Sequence, residues 1–241
     1  MIRYKSKKNN KLLTFLILLI ICLYINYSDD IKSSLSIGNK PKILYSIDNV
    51  PEYDGKPYIV LNNNEPEFDD LSKTTNSFEV YSELDDLGRC GVAYANIGVD
   101  LMPTTKRESI GMVKPSGWKT TKYDIITDGK YLFNRCHLIA YQLSGENANE
   151  KNLITCTRYT NSITMVEFEN MIGNYVRKTN NHVLYRVTPI FLENNLVASG
   201  IHMEALSIED NGKGIKFNVY IYNIQPNIEI DYSNGNSKLI E

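Results

Sequence analysis

A chain of 241 residues, 42% of them hydrophobic, is long enough to bury a sizeable core as one long domain or two small ones. Its 26 Lys and Arg against 28 Asp and Glu exclude a strongly basic protein that coats nucleic acid stoichiometrically. Five of those 26 cations, and no acid, fall in the opening MIRYKSKKNNK, so the chain beyond residue 28 carries a formal charge of about minus seven. Such a domain handles a polyanion only through a local basic patch or a bound cation, and releases its product readily.

The basic start runs into LLTFLILLIICLYINYS, apolar except for Thr14 before Asn26, which is the layout of an export signal. About 14 apolar residues fall short of the roughly 20 needed for a bilayer span, although Tyr24 and Tyr27 suit an interface and a thinned bilayer would accept the run. No small-x-small cleavage site follows, and Ile21 is too bulky to precede a lipid-modified Cys22. Two readings of residues 1–28 stay open: a secretory signal, or an uncleaved N-terminal membrane anchor with the domain facing outside. A buried helix of a cytosolic protein is the weaker third. Residues 29–42, DDIKSSLSIGNKPK, are polar and aperiodic and read as a linker to a domain spanning 43–241.

Short apolar segments follow, KILYSI at 42–47 and PYIVLN at 57–62, both predicted as strands. Residues 63–89 are turn-rich, CGVAYANIGVDL offers another strand, and 103–130 read as a long irregular surface loop carrying Arg107, Lys114, Lys119 and Lys122. YLFNRC is a short β segment, and SITMVEFENMIGNYVRK at 162–178 places apolar residues at 165, 168, 172, 175 and 176, one helical stripe. HVLYRVTPIFL, NLVASGIHMEALSI and KGIKFNVYIYNI, separated by ENN and EDNGKG, predict three antiparallel strands joined by hairpin turns. Strands, a long loop, a strand, a helix and then antiparallel strands make an α+β domain.

His137 stands where YLFNRC hands over to HLIAYQL, a position from which an imidazole can face a cleft and act as a general base. The structural alternative is a core helix start whose histidine is satisfied by a carbonyl. Asn147, Asn149, Asn152 and Asn161 surround the next segment, and an amide oxygen is a neutral ligand for a hard cation that keeps most of its water. On an ideal helix Glu169 lies about 12 Å and roughly 80° from Asn161. It is therefore placed to hold a metal-bound water rather than the ion itself. Asn161 is equally a sound N-cap for a helix beginning at Ser162, Glu169 equally a solvated face charge, and Glu167 points to another side.

NRCHL, followed by ENANEKNLITCTRYTN and FENMIGNYVRK, resembles the DNA/RNA non-specific endonuclease family with its ββα-metal (His-Me finger) fold and DRGH-type motif, and in particular its streptococcal-type secreted DNases. The resemblance runs from about residue 80 to about 233 and rests on the ordered His, Asn, Asn and Glu rather than on any single tetrapeptide. It implies an antiparallel sheet bearing a ββα-metal site that hydrolyses DNA, and RNA in a broader reading, with Mg²⁺, or Mn²⁺ in its place. The implied roles are His137 as base, Arg135 on phosphate, Asn161 as the direct metal ligand, Glu169 holding the metal's waters, and Asn152 supporting substrate or metal waters. Arg107, Lys114 and Lys119 are candidate backbone contacts, each equally readable as part of a solvated loop. Three departures weaken the match: the motif aspartate is Asn134, its glycine is Cys136, and the arginine expected one turn after Glu169 is Gly173, for which Arg177 looks a poor replacement.

A catalytically weakened relative that only binds nucleic acid or a protein partner at the cell surface is the chief alternative, and Asn134 and Gly173 favour it. A thiol hydrolase using Cys136 is disfavoured because neighbours on an extended backbone point to opposite faces. Cys90, Cys136 and Cys156 are an odd set, implying one bridge and one free thiol. Cys90 with Cys136 is the expected pair, and Cys136 with Cys156 stays open. His182 and His202 read as structural, Trp118 as a loop anchor rather than a base-stacking platform, and the protein as a monomer.

Overall fold

The computed structural model describes residues 45–240; the expected signal or anchor at 1–28 and linker at 29–42 lie outside the described residues. In chain order the strands are β1 (Tyr58–Val60), β2 (Phe78–Tyr81), β3 (Ala93–Ile97), β4 (Phe133–His137), β5 (Leu153–Thr157), β6 (Val183–Ile190), β7 (Gly200–Ser207), β8 (Lys216–Tyr222), β9 (Ile228–Asp231) and β10 (Asn236–Leu239). Helix α1 (Tyr141–Ser144) is a single turn, and a π-helical segment, Thr160–Met165, leads directly into α2 (Val166–Thr179). Among the described residues no helix is long and apolar enough to cross a membrane.

Six strands form one antiparallel sheet in the order β1-β8-β7-β6-β3-β2. Side chains alternate across a strand, so Ala93, Ala95 and Ile97 of β3, Tyr185 and Val187 of β6, and Phe217, Val219 and Ile221 of β8 share one core. Helix α2 covers that core with Phe168, Ile172 and Val176, the predicted stripe. The Phe168 ring sits 4.9 Å from Phe217 and 5.2 Å from Tyr58. Burying each such side chain contributes about 1.5–3 kcal/mol, which fixes the helix on the sheet. The helix ends where Asn180 takes a left-handed conformation, φ 62°.

Strands β4 and β5 form a separate antiparallel pair, with Phe133 opposite Thr157 and His137 opposite Leu153. Hairpin, π segment and α2 together make the ββα unit. Thr157 anchors their junction: its backbone N–H donates to Asn223 at 2.9 Å, and its hydroxyl accepts from the Thr160 N–H at 3.0 Å. Thr160 in turn donates to the Tyr222 carbonyl at 3.0 Å. The start of the π segment is thereby tied to the end of β8.

The predicted elements are present with differences, and β5, β9 and β10 are strands the sequence did not predict. The 42–47 strand reduces, where described, to a parallel bridge between Tyr45 and Leu61 and a 3-10 turn at Ile47–Asn49. Strand β2 occupies part of the turn-rich stretch. HLIAYQL is not a core helix, because His137 closes β4 and only Tyr141–Ser144 is helical.

The expected Cys90 to Cys136 bridge is not formed; Cys136 is joined to Cys156, Cα to Cα 5.8 Å. The reason is the β4–β5 register, in which Cys136 faces Ile154 and Cys156 lies two residues further along the partner strand. Cys90 is a free, buried thiol whose Sγ donates to the Glu150 and Leu153 carbonyls, both at 3.2 Å, and burial pushes its pKa up to about 12. With its sulfur in a disulfide, Cys136 offers no thiol nucleophile.

Candidate active site

His137 is 6% exposed and is held by two contacts. Its Nε2 lies 2.8 Å from the Asn147 carbonyl, which can only accept, and its Nδ1 lies 3.3 Å from Arg107 Nη2, which can only donate. The ring therefore carries its proton on Nε2 and turns the Nδ1 lone pair toward the cleft. The turn that delivers the Asn147 carbonyl begins at Gly145, whose φ of 70° closes α1. Burial first, and the Arg107 charge after it, push the His137 pKa down to about 4, outweighing the opposing pull of the Asn147 carbonyl. The imidazole is thus neutral at physiological pH.

Asn161 does not cap a helix. It lies inside the π segment, its amide nitrogen is 3.4 Å from Ser162 Oγ, and its carbonyl oxygen accepts no hydrogen bond among the described residues. Glu169 is buried on α2 with no hydrogen bond or ion pair among the described residues. Burial pushes its pKa up to about 8, against the lowering influence of Arg107. The wider π turn alters the angular offset that an ideal α-helix would impose, and His137, Asn161, Glu169 and Arg107 line one cavity of about 420 Å³.

A second cavity of about 440 Å³ adjoins it and shares Arg107 and Asn161. Arg135 lines this second cavity rather than the first. Its guanidinium sits 4.0 Å from the Trp118 ring centroid, donates to Gly111 at 2.9 Å, and donates also to the Val113 carbonyl. Arg135 thus clamps the 103–130 loop onto β4 instead of standing beside His137. Asn152 is likewise corrected. It is fully buried, its side chain accepting from Ile139 N–H at 2.9 Å and donating to Ile139 O at 3.0 Å, so it pins the chain after β4 and cannot touch substrate. Lys114 is exposed and lines neither cavity.

Gln142, which the sequence did not single out, completes the site together with Arg177. Gln142 lines the His137 cavity and donates to Asn170 at 2.9 Å. Arg177 donates to Gln142 at 3.3 Å, and its guanidinium lies 3.0–3.4 Å from where a side chain at Gly173 would begin. Glycine at 173 is what lets Arg177 fold back across the helix. Asn134 donates to Ser162 at 3.3 Å and takes no part in orienting His137. His182 pairs with Glu209 at 2.7 Å and His202 with Asn218 at 2.7 Å, both structural as expected; Trp118 joins a small core with Phe133, Ile228 and Ile230 and anchors its loop.

An antiparallel β pair runs into a helix, with a neutral histidine, an asparagine amide and a buried glutamate on one cleft, the layout of a ββα-metal nuclease. The profile of the family described as DNA/RNA non-specific endonuclease matches residues 70–208. The chain belongs to that family. It is similar to NucA from Streptococcus agalactiae with magnesium bound, at 26% identity over 75% of this chain and 86% of that one, TM-score 0.66. It is also similar to Sda1 nuclease with a bound zinc ion, at 27% identity over 77% and 96%, TM-score 0.58. An extracellular endonuclease at 22% identity, covering 68% and 87% with TM-score 0.53, shares the fold.

Proposed function

We propose that this domain is a divalent-cation-dependent endonuclease that cuts DNA, and RNA by the same chemistry, outside the cell, with His137 as the base and Asn161 and Glu169 as the cation-holding pair. One juxtaposition supports the reading: His137, Asn161 and Glu169 line one cavity, with Arg107 against the His137 ring. No group of three or more His, Cys, Asp or Glu suited to a metal occurs among the described residues. That donor set suits Mg²⁺ or Mn²⁺, hard ions that retain waters, better than a closed zinc cage. Asn161 would hold the ion directly and Glu169 would hold its waters. When bound, the cation neutralises the non-bridging oxygens and the leaving 3′-oxygen.

The chain's own groups do the rest. The Asn147 carbonyl keeps the His137 proton on Nε2, so that Nδ1 can take a proton from water aimed at phosphorus. Arg107, whose Nη2 lies 3.3 Å from Nδ1, is a cation for the phosphate beside the base. Contacts made to phosphate carry no sequence information, so cutting is unselective. The basic and apolar N-terminal run supports export or outward-facing anchoring. Incubating the protein with plasmid and Mg²⁺, with and without chelator, tests the proposal: cation-dependent nicking is expected, and cutting that survives chelation would overturn it.

A further inference from the structure

We propose that the cavity adjoining the active cleft is a subsite for one unpaired nucleobase of the strand being cut. The inference rests on the nuclease reading only for the identity of the ligand. The cavity opens from the catalytic cleft across Arg107 and Asn161, so a strand whose phosphate lies by His137 has its neighbouring nucleotide here. Its lining contains three arginines, 107, 135 and 158, and no carboxylate. Its aromatic groups are Trp118, Tyr131 and Phe133.

Planarity and rigidity make this a stacking surface rather than a general basic patch. Arg135 lies 4.0 Å from the Trp118 ring centroid and is fixed by the Gly111 and Val113 carbonyls, so indole and guanidinium together form a preorganised platform. Bases stack on aromatic rings and on guanidinium planes alike. Tyr131 stands at the rim, 40% exposed, with the Lys122 ammonium 4.4 Å from its ring centroid. Arg158 is paired with Asp128 at 2.6 Å and donates to the Tyr131 carbonyl at 3.3 Å, which fixes a second guanidinium plane in the cavity wall. A paired base must leave its helix to enter such a pocket, whereas an unpaired one need not. Trp118 is both the anchor of its loop and, through Arg135, the floor of the subsite.

The test uses the full protein in chelator, so that nothing is cut, and reads the fluorescence of Trp118, the only tryptophan in the chain. The probes are a thymidine octamer and an octamer of the same sugar-phosphate backbone lacking every base. The thymidine octamer is expected to quench the emission saturably and to bind about tenfold tighter than the baseless backbone. Tyr131→Ala, and separately Thr120→Phe, which fills the cavity from an exposed wall, should each remove most of that difference. Equal binding of the two octamers, or a difference that survives both substitutions, would overturn the subsite. Plasmid cutting with restored cation, measured on the same protein, separates the two readings. Base-independent binding with cutting intact removes the subsite alone; base-dependent binding without cutting leaves the subsite and removes the nuclease mechanism.

Discussion

The Asn147 carbonyl oxygen lies 2.8 Å from His137 Nε2, and this contact decides which ring nitrogen is free to act. A backbone carbonyl does the orienting that a side-chain carboxylate could have done, so Asn134 in place of an aspartate need not weaken the base. His137→Ala is expected to lower cleavage by about a hundred- to ten-thousandfold, the usual worth of a positioned general base. Added imidazole should restore part of it. A variant that folds, by circular dichroism, and still cuts at the original rate would exclude His137 from the chemistry.

Asn161 and Asn149 offer a control for one another. Asn149 caps a 3-10 turn by accepting from Lys151 N–H at 3.0 Å, whereas the Asn161 carbonyl oxygen has no such duty. Asn149→Ala should cost about 0.5–2 kcal/mol of stability and leave the cation response unchanged. Asn161→Ala should shift the Mg²⁺ concentration needed for half-maximal cutting upward by at least about tenfold, an inner-sphere ligand being worth more than a capping bond. Equal shifts in a cation titration would return Asn161 to a structural role.

Glu169 and His137 pull the pH dependence of stability in opposite directions. Between 4.5 and about 8 the unfolded carboxyl releases a proton that folded Glu169 keeps, so its contribution falls as pH rises. Between about 4 and 6.5 the unfolded imidazole takes a proton that folded His137 refuses, so its contribution rises with pH. Above 6.5 only the Glu169 effect remains of the two. The melting temperature of cation-free protein should therefore drop from pH 6.5 to 8, and stabilisation by Mn²⁺ should grow over the same window. Glu169→Gln should flatten both trends, and an unchanged drop in that variant would place the titrating group elsewhere.

Arg177 covers Gly173 and reaches Gln142 at the cleft, supplying a cation where the helix lacks one at 173. Arg177→Ala should reduce the slope of log affinity against log salt by about one, as expected for losing a single phosphate contact. An unchanged slope would show that this guanidinium serves only Gln142.

The disulfide joins residues 20 apart in sequence. Replacing Cys136 and Cys156 together by alanine should cost about 2–4 kcal/mol in denaturant melts. Cys90 should resist alkylation until the protein unfolds, and alkylation of native Cys90 would contradict its buried placement.

Much of this was legible in residue order, because β6, β7 and β8 alternate and α2 repeats at helical spacing. Strand β5 was not, since LITCT is buried throughout and offers no alternation, and without it the Cys136 and Cys156 register could not be seen. His137, Asn161 and Glu169 were singled out by residue type, spacing and the family resemblance, and the structure brings the three to one cavity. Asn152 misled because its residue type suits a ligand or a structural bond equally well, and only its buried bonds to Ile139 reveal that it is occupied; Arg135, next to His137 in sequence, belongs to the adjoining cavity, which residue order could not tell. The Asn147 carbonyl and the space above Gly173 leave no trace in side-chain chemistry. The π segment has no simple sequence signature either, and it places Asn161 inside a helical turn rather than at a cap.

Anomalous diffraction from crystals soaked in Mn²⁺ tests the central claim most directly. The account predicts one peak in the cleft at about 2.0–2.2 Å from the Asn161 amide oxygen, with a water between the ion and Glu169, and no peak in Asn161→Ala. A Mn²⁺ peak bound elsewhere, or one that persists in place after Asn161 is removed, would contradict it.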